Sequence, residues 1–164
     1  MLKRILVPVD FSKPSLAALD HAIAFRQPLE AELVLLHVVE PFSLSGVNGM
    51  YGVGFDTGAI SAELERAAHR QLSRLAAGVH ARHVPVRALV EVGPASQVIA
   101  DTASKLGVDM IIMATHGRTG LSHLLLGSVA ERVVRAASCP VLTVRPPGTS
   151  RRKPARQRAT RARS

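Results

Sequence analysis

The stretch Val108-Asp109-Met110-Ile111-Ile112-Met113, followed by a glycine-bearing connection, a helix-forming run from about Ser128 to Ala137 and then Val141-Leu142-Thr143-Val144, decides the fold. Two short apolar runs without alternation are what strands buried on both faces require. A helix between them provides the crossover that a parallel pair needs.

Working outward, the same unit recurs. Ile5-Leu6-Val7-Pro8-Val9 is a first buried strand. Ser12 offers an N-cap, Pro14 falls in a first turn, and Leu16, Leu19 and Ile23 recur at helical spacing. Leu33 to Val39 predicts a second strand, and residues 42–58, with five glycines, predict a loop. Leu64, Ala68, Leu72, Leu75 and Val79 then mark the apolar stripe of a long helix whose wet side carries Glu63, Glu65, Arg66, Arg70 and Arg74. Val86 to Val92 is a third strand, and Val98, Ile99, Ala103 and Leu106 mark a helix that Gly107 is placed to end. The order βαβαβαβαβ predicts a mostly parallel sheet, doubly wound with helices on both faces.

Composition agrees. With 164 residues, 47% hydrophobic but only 3% aromatic, the chain suits one domain with a Val, Ile, Leu and Ala core. The net charge of +9 is localised: seven of 21 Lys and Arg fall in residues 151–164, which hold no acid, leaving fourteen bases against twelve acids elsewhere. The body is nearly neutral, so the charge describes a tail and not a basic face. Residues 147–164 lack large apolar side chains and are expected to be a disordered Arg-rich extension of a domain spanning 1–146. That tail is either a solvated extension or a weak, salt-sensitive contact for nucleic acid or an acidic surface. A single cysteine, Cys139, forms no intrachain disulfide, and no apolar run is long enough for a membrane span; a cytoplasmic protein is expected.

In an open α/β sheet ligands bind beyond the carboxyl ends of the strands, where the strand order reverses. Polar or glycine-rich features stand at two such ends: Val9-Asp10, and Ala114-Thr115-His116-Gly117-Arg118-Thr119-Gly120 leading to Gly127-Ser128. Gly127-Ser128 opens a helix whose free N–H groups and dipole favour an anion, with a hydroxyl from Ser128 and a charge from Arg118 at hand. The same glycines also suit plain turns. Asp10 suits either a ribose hydroxyl or the capping of the first helix.

The run Ile111 to Val144, containing Thr-His-Gly-Arg-Thr-Gly-Leu, Leu-Leu-Leu-Gly-Ser-Val-Ala-Glu-Arg-Val-Val-Arg and Ser-Cys-Pro-Val-Leu-Thr-Val-Arg, resembles the C-terminal signature of universal stress proteins. Ile-Leu-Val-Pro-Val-Asp-Phe-Ser and Leu-Leu-His-Val-Val resemble that family's first two strands. The resemblance implies a Rossmann-like, adenine-nucleotide α-hydrolase-like sheet of five strands in the order 3-2-1-4-5, with the first and fourth side by side. It also implies the pattern Gly, two residues, Gly, nine residues, Gly, Ser/Thr of the ATP-binding branch. Here Ala114 stands at the first glycine, while Gly117, Gly127 and Ser128 match the rest. By that match, Pro8, Val9 and Asp10 line the adenosine, and Val39 or Val38 meets the adenine. Met113, Ala114, Gly117 and Arg118 flank ribose and phosphates, and Gly127, Ser128 and Val129 hold the phosphate chain. The resemblance further implies ATP, Mg²⁺ held largely by the phosphates, and a homodimer formed through Val141–Val144.

Other chemistry lacks its residues. No G-x-x-x-x-G-K-[ST] supplies a phosphoryl-stabilising lysine, and Gly52-Val53-Gly54 has the wrong spacing for a dinucleotide fingerprint. His80-x-x-His83 has no cysteine or carboxylate partner in sequence, and Ser128 has no evident base, so no catalytic residue is assigned. The readings that follow are an ATP-binding stress-response protein with at most slow hydrolysis, a nucleotide-free dimeric scaffold, or a protein that contacts nucleic acid through its tail.

Overall fold

The computed structural model describes residues 2–41, 57–115 and 127–145. Five strands, β1 (Arg4–Pro8), β2 (Glu32–Val39), β3 (Val86–Val92), β4 (Met110–Ala114) and β5 (Val141–Val144), form one sheet in the order β3-β2-β1-β4-β5. All four pairings are parallel. Order and class match the sequence expectation.

Among the described residues four α-helices cover the sheet: α1 (Lys13–Arg26), α2 (Thr57–His80), α3 (Ala95–Leu106) and α4 (Ser128–Ala136). Strand alternation divides the core in two. Ile5, Val7, Leu33, Leu35 and Ile112 meet Leu19 and Ile23 of α1 and Leu72 and Val79 of α2. Leu6, Val34, Leu36 and Ile111 meet Ile99 and Ala103 of α3 and Ala130 and Val133 of α4.

Local chemistry sets the boundaries. The Ser12 hydroxyl accepts from Ser15 N–H and caps α1, with Pro14 in the first turn. Gly107 ends α3 in the left-handed conformation, φ 57°, and its N–H and that of Val108 return to the Ser104 and Ala103 carbonyls. That closure takes Val108 out of the strand, so β4 starts at Met110, two residues later than the apolar run suggests. Asp109 is engaged as well: its carboxylate accepts from the N–H groups of Lys3 (2.7 Å) and Arg4 (2.8 Å). The Arg4 guanidinium donates to the Leu106 carbonyl, tying the foot of β1 to the end of α3.

Two further expectations are corrected. α2 begins at Thr57, inside the predicted loop. Leu64, assigned to the apolar stripe, is 45% exposed, whereas Ala68, Leu72 and Val79 are buried. The reason is length: 24 residues of helix extend roughly 36 Å, and the 7 residues of β3 roughly 23 Å. The first turns of α2 therefore overhang the sheet.

Candidate functional site

The strand order reverses between β1, whose chain proceeds to β2 on one side, and β4 on the other. Ile5 pairs with Met110 and Leu6 with Ile111, so the two ends singled out in the sequence are adjacent.

At the end of β1, Val9 N–H still bonds the Leu36 carbonyl at 2.8 Å. The chain then turns sharply. Asp10 Oδ1 accepts from Ser12 N–H (3.0 Å) and from the Ser12 hydroxyl (2.6 Å), while Asp10 N–H donates to Ser15 Oγ (3.3 Å). The capping alternative for Asp10 is thus present in the geometry. Between Asp10 and Ser12, Phe11 adopts φ 63°. Its ring lies against His37, centroids 4.6 Å apart, and His37 Nδ1 sits 2.7 Å from the Val9 carbonyl.

At the end of β4, Thr115 N–H donates to the Val144 carbonyl at 2.9 Å, and Gly127 N–H donates to the Thr115 carbonyl at 2.7 Å. The chain re-enters the frame at Gly127 beside the point where it left. Gly127 is the N-cap of α4 and contributes no side chain to it. The N–H groups of the first helical turn have no intrahelical partner in any α-helix; here Ser128 and Val129 carry them and are exposed. Gly127 has φ −69° and ψ 152°, a conformation open to any residue, so bulk is what glycine spares at this point.

Strand alternation sorts the remaining candidates. Met113 and Val38 pack on the face covered by α3 and α4, and Pro8, two residues beyond Leu6, shares it. This is also the face of α4. Val9, 3% exposed, and Ala114, 8% exposed, instead belong to the core under α1 and α2, and alternation sends Val39 that way too. Of the pair Val38 and Val39, Val38 is the one that shares a face with Met113 and α4. Gly117 and Arg118 lie outside the described residues.

A separate groove of about 360 Å³ runs between α3 and α4, lined by Ser96, Gln97, Asp101, Ser104, Arg132 and Ser138 among others. None of its lining residues comes from β1, from the turn after it or from the first turn of α4. Among the described residues no group of three or more His, Cys, Asp or Glu gathers to hold a metal ion. Cys139 is half-buried, and burial pushes its thiol above the ordinary cysteine range, with Asp109 adding to the effect. Two residues of the region escaped the sequence reading, His37 and Phe11. The signal was a lone imidazole inside the apolar run Leu33–Val39.

The sequence profile of the universal stress protein family matches residues 1–145. The chain belongs to this family. Among relatives, universal stress protein MJ0531 of Methanocaldococcus jannaschii is 34% identical over 149 residues, 90% of this chain and 84% of that one. MJ0577 of the same organism is 34% identical over 155 residues, covering 88% of this chain and 96% of its own. The solved structure of MJ0577 superposes with a TM-score of 0.76 over 89% of this chain and 97% of that one, at 32% identity. A universal stress protein solved in complex with cAMP shares the fold, with TM-score 0.56 and 20% identity over 88% of this chain and 97% of that one. For this member of the family, no described helix is long and apolar enough to cross a membrane.

Proposed function

We propose that this universal stress protein binds an adenine nucleotide, ATP, in the crevice between the ends of β1 and β4, as a cytoplasmic stress-response regulator. The observation that carries the reading is the Gly127–Thr115 hydrogen bond. It sets a helix N-terminus without a side-chain cap next to the strand-order reversal, which is where α/β sheets receive phosphorylated ligands. Pro8, Val38 and Met113 would meet the adenosine by their side chains, while Val9 and Ala114, turned into the core, would do so only by backbone. Asp10, already bonded to Ser12, would add a ribose contact from its place in the turn. Gly127, Ser128 and Val129 would hold the phosphates, joined by Gly117 and Arg118. Mg²⁺ would be carried by the phosphates. The solved cAMP complex of a protein with this fold agrees with the ligand class.

Ala114 in place of the motif's first glycine is compatible with this reading, because its methyl group belongs to the core under α1. Hydrolysis, if it occurs, is slow, since the sequence holds no Walker lysine. Calorimetric titration with ATP and Mg²⁺ tests the proposal: saturable binding that is lost in Gly127→Trp supports it, and absent binding by protein free of trapped nucleotide refutes it.

A homodimer through β5 is part of the same proposal. β5 is an edge strand, and Leu142 on it is 40% exposed. Light scattering of wild type and Leu142→Lys tests it, with a monomeric wild type as the contrary outcome. The nucleic-acid reading of residues 147–164 is tested by deleting them and comparing DNA retention at two salt concentrations.

A further inference from the structure

We infer that His37 is a positioning residue for the nucleotide crevice: its imidazole, with the Phe11 ring against it, fixes the Val9–Asp10 backbone in the form that receives the ligand. The inference rests on the nucleotide reading above and goes one step deeper into the same site.

His37 is 8% exposed near the carboxyl end of β2, flanked by Leu36 and Val38. An imidazole buried there without a partner would be costly, and a leucine would fill the place as well if packing were the only demand. It has a partner. Nδ1 lies 2.7 Å from the Val9 carbonyl, and a carbonyl only accepts, so Nδ1 carries the proton and donates. Val9 lies one residue past Pro8, the last residue of β1: its N–H still bonds the Leu36 carbonyl, while its own carbonyl meets the imidazole. A side chain from the neighbouring strand takes over the job of the ladder at the point where the chain must turn toward the site.

The segment beyond is held from the same ring. Phe11 is a bulky residue at φ 63°, a conformation that persists only where the surroundings impose it. Its ring lies 4.6 Å from that of His37 at an interplanar angle of 38°. Asp10 sits between these two fixed points, its Oδ1 engaged by Ser12. Without the Nδ1 donor, the Val9 carbonyl loses this partner and the Val9–Asp10 peptide keeps the longer 3.3 Å bond from Asp10 N–H to Ser15 Oγ, so the crevice is less firmly shaped on the β1 side while the core below stays intact.

The test compares full-length wild type, His37→Asn and His37→Leu in affinity for ATP with Mg²⁺ and in amide exchange of residues 9–12. Asparagine places an N–H near the Nδ1 position; leucine fills space without a donor. Both remove the ring from Phe11, so a purely structural role predicts equal effects. The inference predicts that His37→Leu binds about tenfold more weakly, the value of one neutral hydrogen bond, and exchanges faster at residues 9–12. His37→Asn should stay within about threefold of wild type. Equal weakening in both variants, or wild-type affinity in His37→Leu, overturns it. If wild type itself binds no nucleotide, the nucleotide reading falls. Exchange then decides the clamp alone, and equal rates at residues 9–12 in the two variants overturn it. Unchanged exchange at Ile111 and Ile112 verifies the fold; should His37→Leu fail this, His37→Gln, whose amide reaches past the Nδ1 position, takes its place.

Discussion

Gly127 N–H donates to the Thr115 carbonyl at 2.7 Å, and this one bond brings the end of β4 and the start of α4 together. Because Gly127 caps α4 without a side chain, the helix is left short of the stability that serine confers at such a position. Gly127→Ser should therefore raise stability by about 0.3 kcal/mol. It should also weaken ATP binding, since the hydroxyl competes for N–H groups a phosphate would use. Urea titration and calorimetry on the same samples check both halves.

Ala114 is packed under α1, so restoring the family glycine should bring no benefit. Ala114→Gly is expected to cost about 0.5–1 kcal/mol through added chain entropy in the unfolded state and a lost methyl contact. Its nucleotide affinity should stay within about twofold of wild type, a difference worth well under 1 kcal/mol. A marked gain in affinity would show that the methyl intrudes on the crevice.

Ser12 and Asp10 act on one turn, and their effects should not add. Ser12→Ala removes the α1 cap and should cost about 1 kcal/mol. A double-mutant cycle with Asp10→Ala, read in stability, should show strong coupling. Read in affinity, Asp10→Ala should still weaken binding on the Ser12→Ala background if Asp10 also meets the ribose.

At the foot of the sheet, the N–H groups of Arg4 and then Lys3 hold the Asp109 carboxyl below its ordinary range. A carboxylate depressed on folding contributes stability above its unfolded value, about 3.9, and that contribution fades as pH falls through the lower folded value. Wild type should thus be more stable than Asp109→Asn at pH 7, and the gap should narrow below about pH 4. Urea midpoints of the pair across that range are the measurement; a gap independent of pH would contradict it.

The strands were legible because continuous apolar runs such as Ile5–Val9 and Leu33–Val39 have few other uses in a chain so poor in aromatics. β4 was misplaced at its start because Val108 is apolar for a different purpose, closing the end of α3. Leu64 misled in the opposite direction: periodicity reports which side of a helix is apolar, but not how far the sheet beneath it reaches. At the site, the glycine spacing pointed to Gly127 and Ser128, yet spacing along a chain says nothing of which face a strand residue takes. Only the alternation of the folded strand turned Val9 and Ala114 inward and kept Val38 with Met113. His37 was overlooked because one imidazole hardly disturbs an apolar run, and its partner, Val9, is distant in sequence.

The stitching at the foot of the sheet has a consequence for how the molecule breathes. There Asp109 grips Lys3 and Arg4, Arg4 reaches Leu106, and Glu32 N–H bonds the Lys3 carbonyl. The amino ends of β1, β2 and β4 are therefore cross-linked at the edge of the sheet opposite the crevice, so their resistance to local opening does not depend on a ligand. A ligand settling at the carboxyl ends would damp local opening there without straining the anchored end. Its arrival would be recorded as a change in the rhythm of one rim, with the foundation of the sheet unmoved.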